Sequence, residues 1–301
     1  GTKDNSPSLA TLLLHLFNTR PMPKPIAGEN DVPPLSQISG QALNNLSGKC
    51  CVVTGGGSGI GAMIAAGFCA NGATVFIVSR KDTSPFAAQL TAAYPGTCTA
   101  LRADLAHAPD VVRLSQELTT LCPAGKLHCL VNNSGTNWAQ PIDEYSLKGW
   151  DKVYDLNVRS VFHVTQQCLP LLRKSGTAED PARVINISSI DSITQGVLDT
   201  FAYSSGKAAV SHLSRVLASK LAGEHITVNS ILPGAFASRM MRGTIENVGG
   251  QSVMGRGIPL GRMGSTLDMA GVSLMLCGRG GSWITGASIV LDGGAGVKAR
   301  L

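Results

Sequence analysis

Tyr203 and Lys207 stand four residues apart in the run Tyr203-Ser-Ser-Gly-Lys207, which opens a helical stretch reaching Leu221. Residues at that spacing share one helix face, so a phenol and an ammonium point the same way. A phenol near pKa 10 is a poor proton donor or acceptor at neutral pH. A cation beside it favours the phenolate and brings its pKa toward the working range. Such a pair alone commonly marks a solvated helix face. Here it follows Asn186-Ile-Ser-Ser189 by 14 residues and lies downstream of a glycine-rich turn, which makes it specific.

That turn reads Thr54-Gly-Gly-Gly-Ser-Gly-Ile-Gly61, between an apolar run and an Ala-rich helical stretch. Glycines at a strand-to-helix turn let the backbone approach a pyrophosphate, and the helix N-terminus attracts it. The spelling is T-G-x3-G-x-G rather than G-x-G-x-x-G. About 20 residues on, where an acid would take the ribose 2′-hydroxyl of NAD, the chain reads Val78-Ser79-Arg80-Lys81. A hydroxyl and two cations suit a 2′-phosphate instead, so the expected cofactor is NADPH/NADP+.

These groups need a scaffold. From Lys49 onward, short apolar runs alternate with helical stretches. Strands are expected over Cys50–Thr54, Thr74–Val78, Cys98–Ala103, Cys129–Asn132, Arg183–Ser188, Ile226–Leu232 and Ser288–Leu291. Continuous rather than alternating apolarity predicts parallel strands buried on both faces. The expected fold is α/β: a single doubly wound parallel-sheet Rossmann domain over residues 47–301, after an N-terminal extension of residues 1–46. The extension holds an amphipathic segment (Leu9, Leu12, Leu13, Leu16, Phe17) and a proline-rich, extended arm over residues 20–25.

The chain has 301 residues, enough for one sizeable core. No apolar run spans a bilayer, and no signal peptide is expected. The net charge of +6 is scattered, without a basic stripe, which argues against nucleic acid. Eight cysteines show no metal-ligand spacing and are read as buried, reduced hydrophobes; no metal is expected.

Taken together, Thr54-Gly55-x3-Gly59-x-Gly61, Asp104-Leu105, Asn132-Asn133-Ser134-Gly135, Asn157-Val158, Ser189, Tyr203-x3-Lys207, Pro233-Gly234 and Asp292-Gly293-Gly294 resemble the short-chain dehydrogenase/reductase family over residues 48–296. Within it, the β-ketoacyl reductase-like members are most similar, on Gly223–Asn229, Pro233–Met240 and Ser79-Arg80. Ser134 departs from the family's usual alanine. The resemblance implies a catalytic set of Asn157, Ser189, Tyr203 and Lys207. Tyr203 would protonate the substrate carbonyl oxygen as hydride arrives. Lys207 would lower the Tyr203 pKa and hold the nicotinamide ribose. Ser189 would hydrogen-bond the carbonyl oxygen, and Asn157 would anchor a water relaying protons to Lys207. Ser188 is assigned to structure.

The implied cofactor contacts are Gly55, Ser58, Gly59, Ile60 and Gly61 in the turn and Ser79, Arg80 and Lys81 at the 2′-phosphate. Asp104 and Leu105, with Asn133, Ser134 and Gly135, belong to the adenosine side. Tyr203, Lys207, Pro233, Gly234 and Ser238 belong to the nicotinamide side.

The region 235–262, which covers the substrate in this family, carries Met240, Met241 and Met254 with Arg239, Arg242, Arg256 and Arg262; Met263 follows. Adaptable methionines and anion-binding arginines suit an acyl thioester, and a water-facing lid is the other reading. Trp138, Leu198 and Phe201 are further pocket candidates. A β-ketoacyl thioester is the leading substrate, a cyclic or polyketide-like ketone the alternative, and a purely structural NADPH-binding role the remote one. The resemblance implies a homotetramer or homodimer. Ala299-Arg300-Leu301 resembles a peroxisomal address, so either peroxisome or cytoplasm is expected.

Overall fold

A computed structural model describes residues 33–196 and 198–297. The amphipathic segment, the proline-rich arm and the C-terminal tripeptide lie outside the described residues. Two units are distinguished, residues 1–39 and 40–301. The described part of the first holds one short helix, α1 (Leu35–Ile38).

The second unit carries a seven-stranded, wholly parallel sheet in the order β3-β2-β1-β4-β5-β6-β7. The strands are β1 (Cys50–Thr54), β2 (Thr74–Ser79), β3 (Thr97–Arg102), β4 (Cys129–Asn132), β5 (Ala182–Ile187), β6 (Ile226–Pro233) and β7 (Ser288–Leu291). β1, β4, β5 and β6 are buried along their whole length, which is why their sequences do not alternate. Helices cover two separate cores, one on each face. All eight cysteines are free and buried in these cores.

α2 (Gly40–Asn44) precedes β1, and between the strands run α3 (Gly59–Ala70), α4 (Ser84–Ala93), α5 (Ala108–Leu121), α6 (Leu147–Tyr154), α7 (Ser160–Ser175), α8 (Phe201–Leu221), α9 (Arg242–Asn247), α10 (Gln251–Arg256) and α11 (Thr266–Cys277). The second unit begins at Gly40, ahead of the expected boundary after residue 46. Leu46 is fully buried, and its N–H donates to Asn71 O at 2.9 Å.

The strand order reverses between β1 and β4, where crossovers leave in opposite directions and a crevice opens at the C-terminal strand ends. Thr54 and Asn132 end these two strands. The Thr54 hydroxyl accepts the N–H groups of Asn133 and Ser134 at 2.9 and 3.0 Å, which ties the two strand ends together.

Candidate active site

β5 delivers two successive serines to the crevice, and alternation sends them to opposite sides. The Ser188 hydroxyl donates to Lys207 O at 2.8 Å and pairs with Ser211 Oγ at 2.8 Å, so it is used up against α8. The Ser189 hydroxyl accepts the Asp191 N–H at 3.2 Å and stands in hydrogen-bond reach of the Tyr203 phenol. Tyr203 and Lys207 lie in the first two turns of α8. The Lys207 Nζ is buried, donates to Ile187 O at 2.7 Å and lies 5.6 Å from the centre of the Tyr203 ring.

Asn157 arrives differently. Between α6 and α7 the helix widens into a π turn, Asp155–Arg159, where the Ser160 N–H reaches back five residues to Asp155 O. This bulge carries the fully buried Asn157, whose amide makes both of its bonds to the Thr136 backbone. A side chain begun on Gly135 would lie 3.4 Å from Asn157 Oδ1 and 3.8 Å from Lys207 Nζ. Asn157 and Lys207 therefore face one small space, kept open by a glycine.

The electrostatics of this cluster are set by burial. Burial pushes the Tyr203 phenol up to about 12; the Ser189 hydrogen bond opposes the rise and the Asp191 charge adds to it. Burial pushes Lys207 down to about 8. One of the three Lys207 N–H groups is taken by Ile187 O, and desolvation is the largest influence on the phenol. The phenol thus keeps its proton at neutral pH, the state a proton donor needs.

At the cofactor end, Gly55 and Gly59 adopt φ of +65° and +54°. A Cβ on Gly61 would come within 2.4 Å of both Gly55 O and Asn133 Nδ2, so only glycine permits this packing. The Ser58 side chain caps nothing, and no acid stands in the first turn of α3. The helix N-terminus that includes Ile60 is thus open to an anion. Ser238 sits over the turn, its Cβ 3.0 Å from where a Gly59 side chain would begin. Pro233 ends β6, and a Cβ on Gly234 would meet Asp292 Cβ at 2.7 Å.

Asn133 braces the turn by donating to Thr54 O at 2.8 Å, and Ser134 Oγ lies beside Gly55. Asp104 accepts the Ala106 N–H at 3.1 Å in a local turn, its other carboxylate oxygen 4.0 Å from the Arg80 guanidinium; Leu105 is buried. The Ser79 hydroxyl donates to Lys81 O and accepts the Lys81 N–H, which shapes the bend holding Arg80 and Lys81 at the end of β2.

Two residues here escaped the sequence reading. Arg102 is the register partner of Ser79, and its Nε donates to Arg80 O at 3.0 Å, adding a third cation. Thr83 Oγ1 is buried without a partner, and a Cβ on Gly57 would fall 2.2 Å from Thr83 Cγ2. An open helix N-terminus, a glycine cradle, an orphaned hydroxyl and the exposed cations Arg80 and Lys81, with no acid among residues 79–81 themselves, fit a pyrophosphate with a 2′-phosphate nearby. The register could have revealed Arg102; nothing in the sequence marks Thr83.

Of the remaining candidates, Trp138 packs over Gly149, donates to Gln140 Oε1 at 3.0 Å and lies under Lys152. Phe201 meets Tyr145 edge-on, and Leu198 is half exposed. Arg262 is paired with Asp268 through two bonds of 2.6 and 2.9 Å, so its charge is already met. No group of His, Cys, Asp or Glu among the described residues could hold a metal ion. No described helix is long and apolar enough to cross a membrane.

A family model described as enoyl-(acyl carrier protein) reductase matches residues 55–296. The rhamnolipids biosynthesis 3-oxoacyl-(acyl-carrier-protein) reductase of Pseudomonas aeruginosa is 45% identical over 251 residues, 83% of this chain and 97% of that protein. The 7alpha-hydroxysteroid dehydrogenase of Escherichia coli is 31% identical over 250 residues, 83% of this chain and 94% of that one. The solved Pseudomonas aeruginosa RhlG/NADP active-site complex superposes with a TM-score of 0.80 at 45% identity, covering 84% of this chain and 98% of that one.

Proposed function

Because the chain belongs to the short-chain dehydrogenase/reductase family, we propose that it is an NADPH-dependent reductase of ketone carbonyls whose substrate is a β-ketoacyl thioester. The convergence of the Ser189 hydroxyl, the protonated Tyr203 phenol and the buried Lys207 ammonium carries this reading. The similarity to a 3-oxoacyl reductase and to a structure bound to NADP supports the substrate class and the cofactor.

When bound, NADPH supplies the hydride. The turn at Gly55, Ser58, Gly59, Ile60 and Gly61 would hold its pyrophosphate, with Ser238 above, and Arg80, Lys81 and Arg102 its 2′-phosphate. Tyr203 hands its proton to the carbonyl oxygen, and Ser189 shares the charge that develops there. Lys207 would hold the nicotinamide ribose and return a proton toward Tyr203. Asn157 fixes the Thr136 wall of the space beside Lys207.

Reduction of a cyclic ketone uses the same groups, and the hydroxysteroid dehydrogenase relative supports that second reading. NADPH consumption with acetoacetyl-CoA, a longer β-ketoacyl-CoA and a panel of cyclic diketones separates the two. Thioester turnover upholds the first; turnover of cyclic ketones alone replaces it with the second. A homotetramer or homodimer is part of the proposal, supported by the exposed Leu147, Phe162 and Val216 on α6, α7 and α8. A reporter bearing Ala299-Arg300-Leu301 distinguishes a peroxisomal from a cytoplasmic address.

A further inference from the structure

The catalytic scheme leaves one titratable group of the site unused. Asp191 follows Ser189 by two residues, in the turn Ile190–Ser192 that packs on α8. The turn is pinned by the Asp191 N–H on Ser189 Oγ at 3.2 Å, and by the Ser192 hydroxyl, which donates to Ser189 O at 2.6 Å and lies 3.4 Å from Ser211 Oγ. Its carboxyl group is half-buried, 3.6 Å from where a side chain on Gly196 would begin. No hydrogen bond from a described residue satisfies that carboxylate, and burial raises its pKa. A desolvated, unpaired carboxylate costs stability, so its place beside reacting groups calls for a use.

We propose that Asp191 is a charge selector, admitting ketones whose neighbouring acyl group is a neutral thioester or ester and turning away those bearing a free carboxylate. The proposal rests on the ketone-reductase reading. Its field reaches the site because its own N–H is bonded to Ser189 Oγ at 3.2 Å, which sets the residue directly beside the reacting hydroxyl; its charge adds to the proton affinity of the Tyr203 phenol. Lys207, the buried cation that faces the same phenol among the described residues, offsets part of the repulsion but is already held by Ile187 O. A second anion brought within several ångströms of a half-buried carboxylate loses affinity by about tenfold or more. Thioesters and esters lack that charge and lose nothing.

The test compares kcat/KM within two matched pairs: ethyl acetoacetate against acetoacetate, and ethyl 3-oxocyclohexanecarboxylate against the free acid. The native protein is expected to favour each ester by about tenfold or more. Asp191→Asn should raise kcat/KM for the carboxylates by about tenfold, and Asp191→Ser should do the same; melting temperatures check that both fold. A gain on the anion is not something a merely structural role produces. An ester preference that persists in both variants, with no gain on the carboxylates, overturns the proposal. Turnover confined to the cyclic pair would refute the acyl reading while the charge test is still read from that pair.

Discussion

Asn157 and Thr136 exchange two hydrogen bonds: the Thr136 N–H donates to Asn157 Oδ1 at 2.8 Å, and Asn157 Nδ2 donates to Thr136 O at 2.9 Å. This clasp joins the π turn of the helical layer to the loop after β4. It holds Gly135 in front of Lys207, with Asn157 Oδ1 and Lys207 Nζ both within 4 Å of one point. The Asn157 side chain is therefore a support for the space beside Lys207 as well as a wall of it.

Asn157→Ala should unpair both Thr136 groups and cost about 2 kcal/mol of stability, at roughly 1 kcal/mol per bond. kcat should fall as well, because the loop beside Lys207 loses its anchor. Asn157→Asp keeps the acceptor but turns a carboxylate toward Thr136 O, and should be worse. Urea unfolding alongside kcat checks both effects.

Lys207 carries a folding cost that its proposed role would explain. In the fold its pKa is depressed to about 8, against an ordinary lysine value of about 10.4. The unfolded chain therefore binds the extra proton between those values. Below about pH 8 the burial penalty is fully present, and it fades as pH rises toward about 10.4. Lys207→Met should raise stability at pH 7 by about 2 kcal/mol while abolishing turnover, and the difference should close near pH 10. Tyr203 runs the other way. Its phenol, held up at about 12, ionises first in the unfolded chain, so its contribution is lost between about pH 10 and 12. Denaturant titrations at pH 7 and pH 10 check the Lys207 sign, and titrations at about pH 10 and about pH 11.5 check the Tyr203 sign.

The cofactor preference should sit mainly on Arg80. Arg80→Ala removes a charge-assisted bond to the 2′-phosphate and should raise KM for NADPH about tenfold or more, with little effect on NADH. Arg102→Ala should act in the same direction and more weakly, since Arg102 also braces the Arg80 carbonyl. The ratio of kcat/KM for the two cofactors is the measurement.

A buried ion cluster at the opposite end of the sheet sets stability instead. Asp180 accepts Lys49 Nζ at 2.7 Å and Arg183 Nη1 at 2.5 Å, and Arg183 is wholly buried. Burial opposes the Asp180 charge, yet Lys49 and Arg183 more than offset it and hold its pKa below the usual carboxylate value. Asp180→Asn should cost about 3 kcal/mol at pH 7 by stranding the guanidinium. Because the folded pKa is lowered, this contribution is present above the ordinary carboxylate pKa and is lost as pH falls through the folded value. Thermal melts from pH 7 downward read it directly.

The sheet was legible because its strands are buried on both faces: Cys50–Thr54 and Cys129–Asn132 were placed to the residue as uninterrupted apolar runs. Tyr203 and Lys207 were legible because helical spacing is local. What depends on pairing between distant segments was not. Arg102 joins the cofactor end only through its register with Ser79, 23 residues away. Asp191 takes its meaning from the approach of α8, and the fold brings Leu46 into a core shared with Cys51 and Phe68, where composition alone assigned it to the extension. The direction of the Tyr203 shift was also out of reach. Spacing shows that a cation is near but not how deeply the fold buries the phenol.

The central claim is that Tyr203 gives a proton to a ketone oxygen at the expense of NADPH. Following NADPH oxidation with acetoacetyl-CoA for the native protein and for Tyr203→Phe tests it most directly. The account predicts turnover by the native protein and a loss of roughly 100- to 10,000-fold in kcat in the variant, with NADPH still bound as judged by its fluorescence. A Tyr203→Phe protein that retains kcat within a few-fold of native would contradict it.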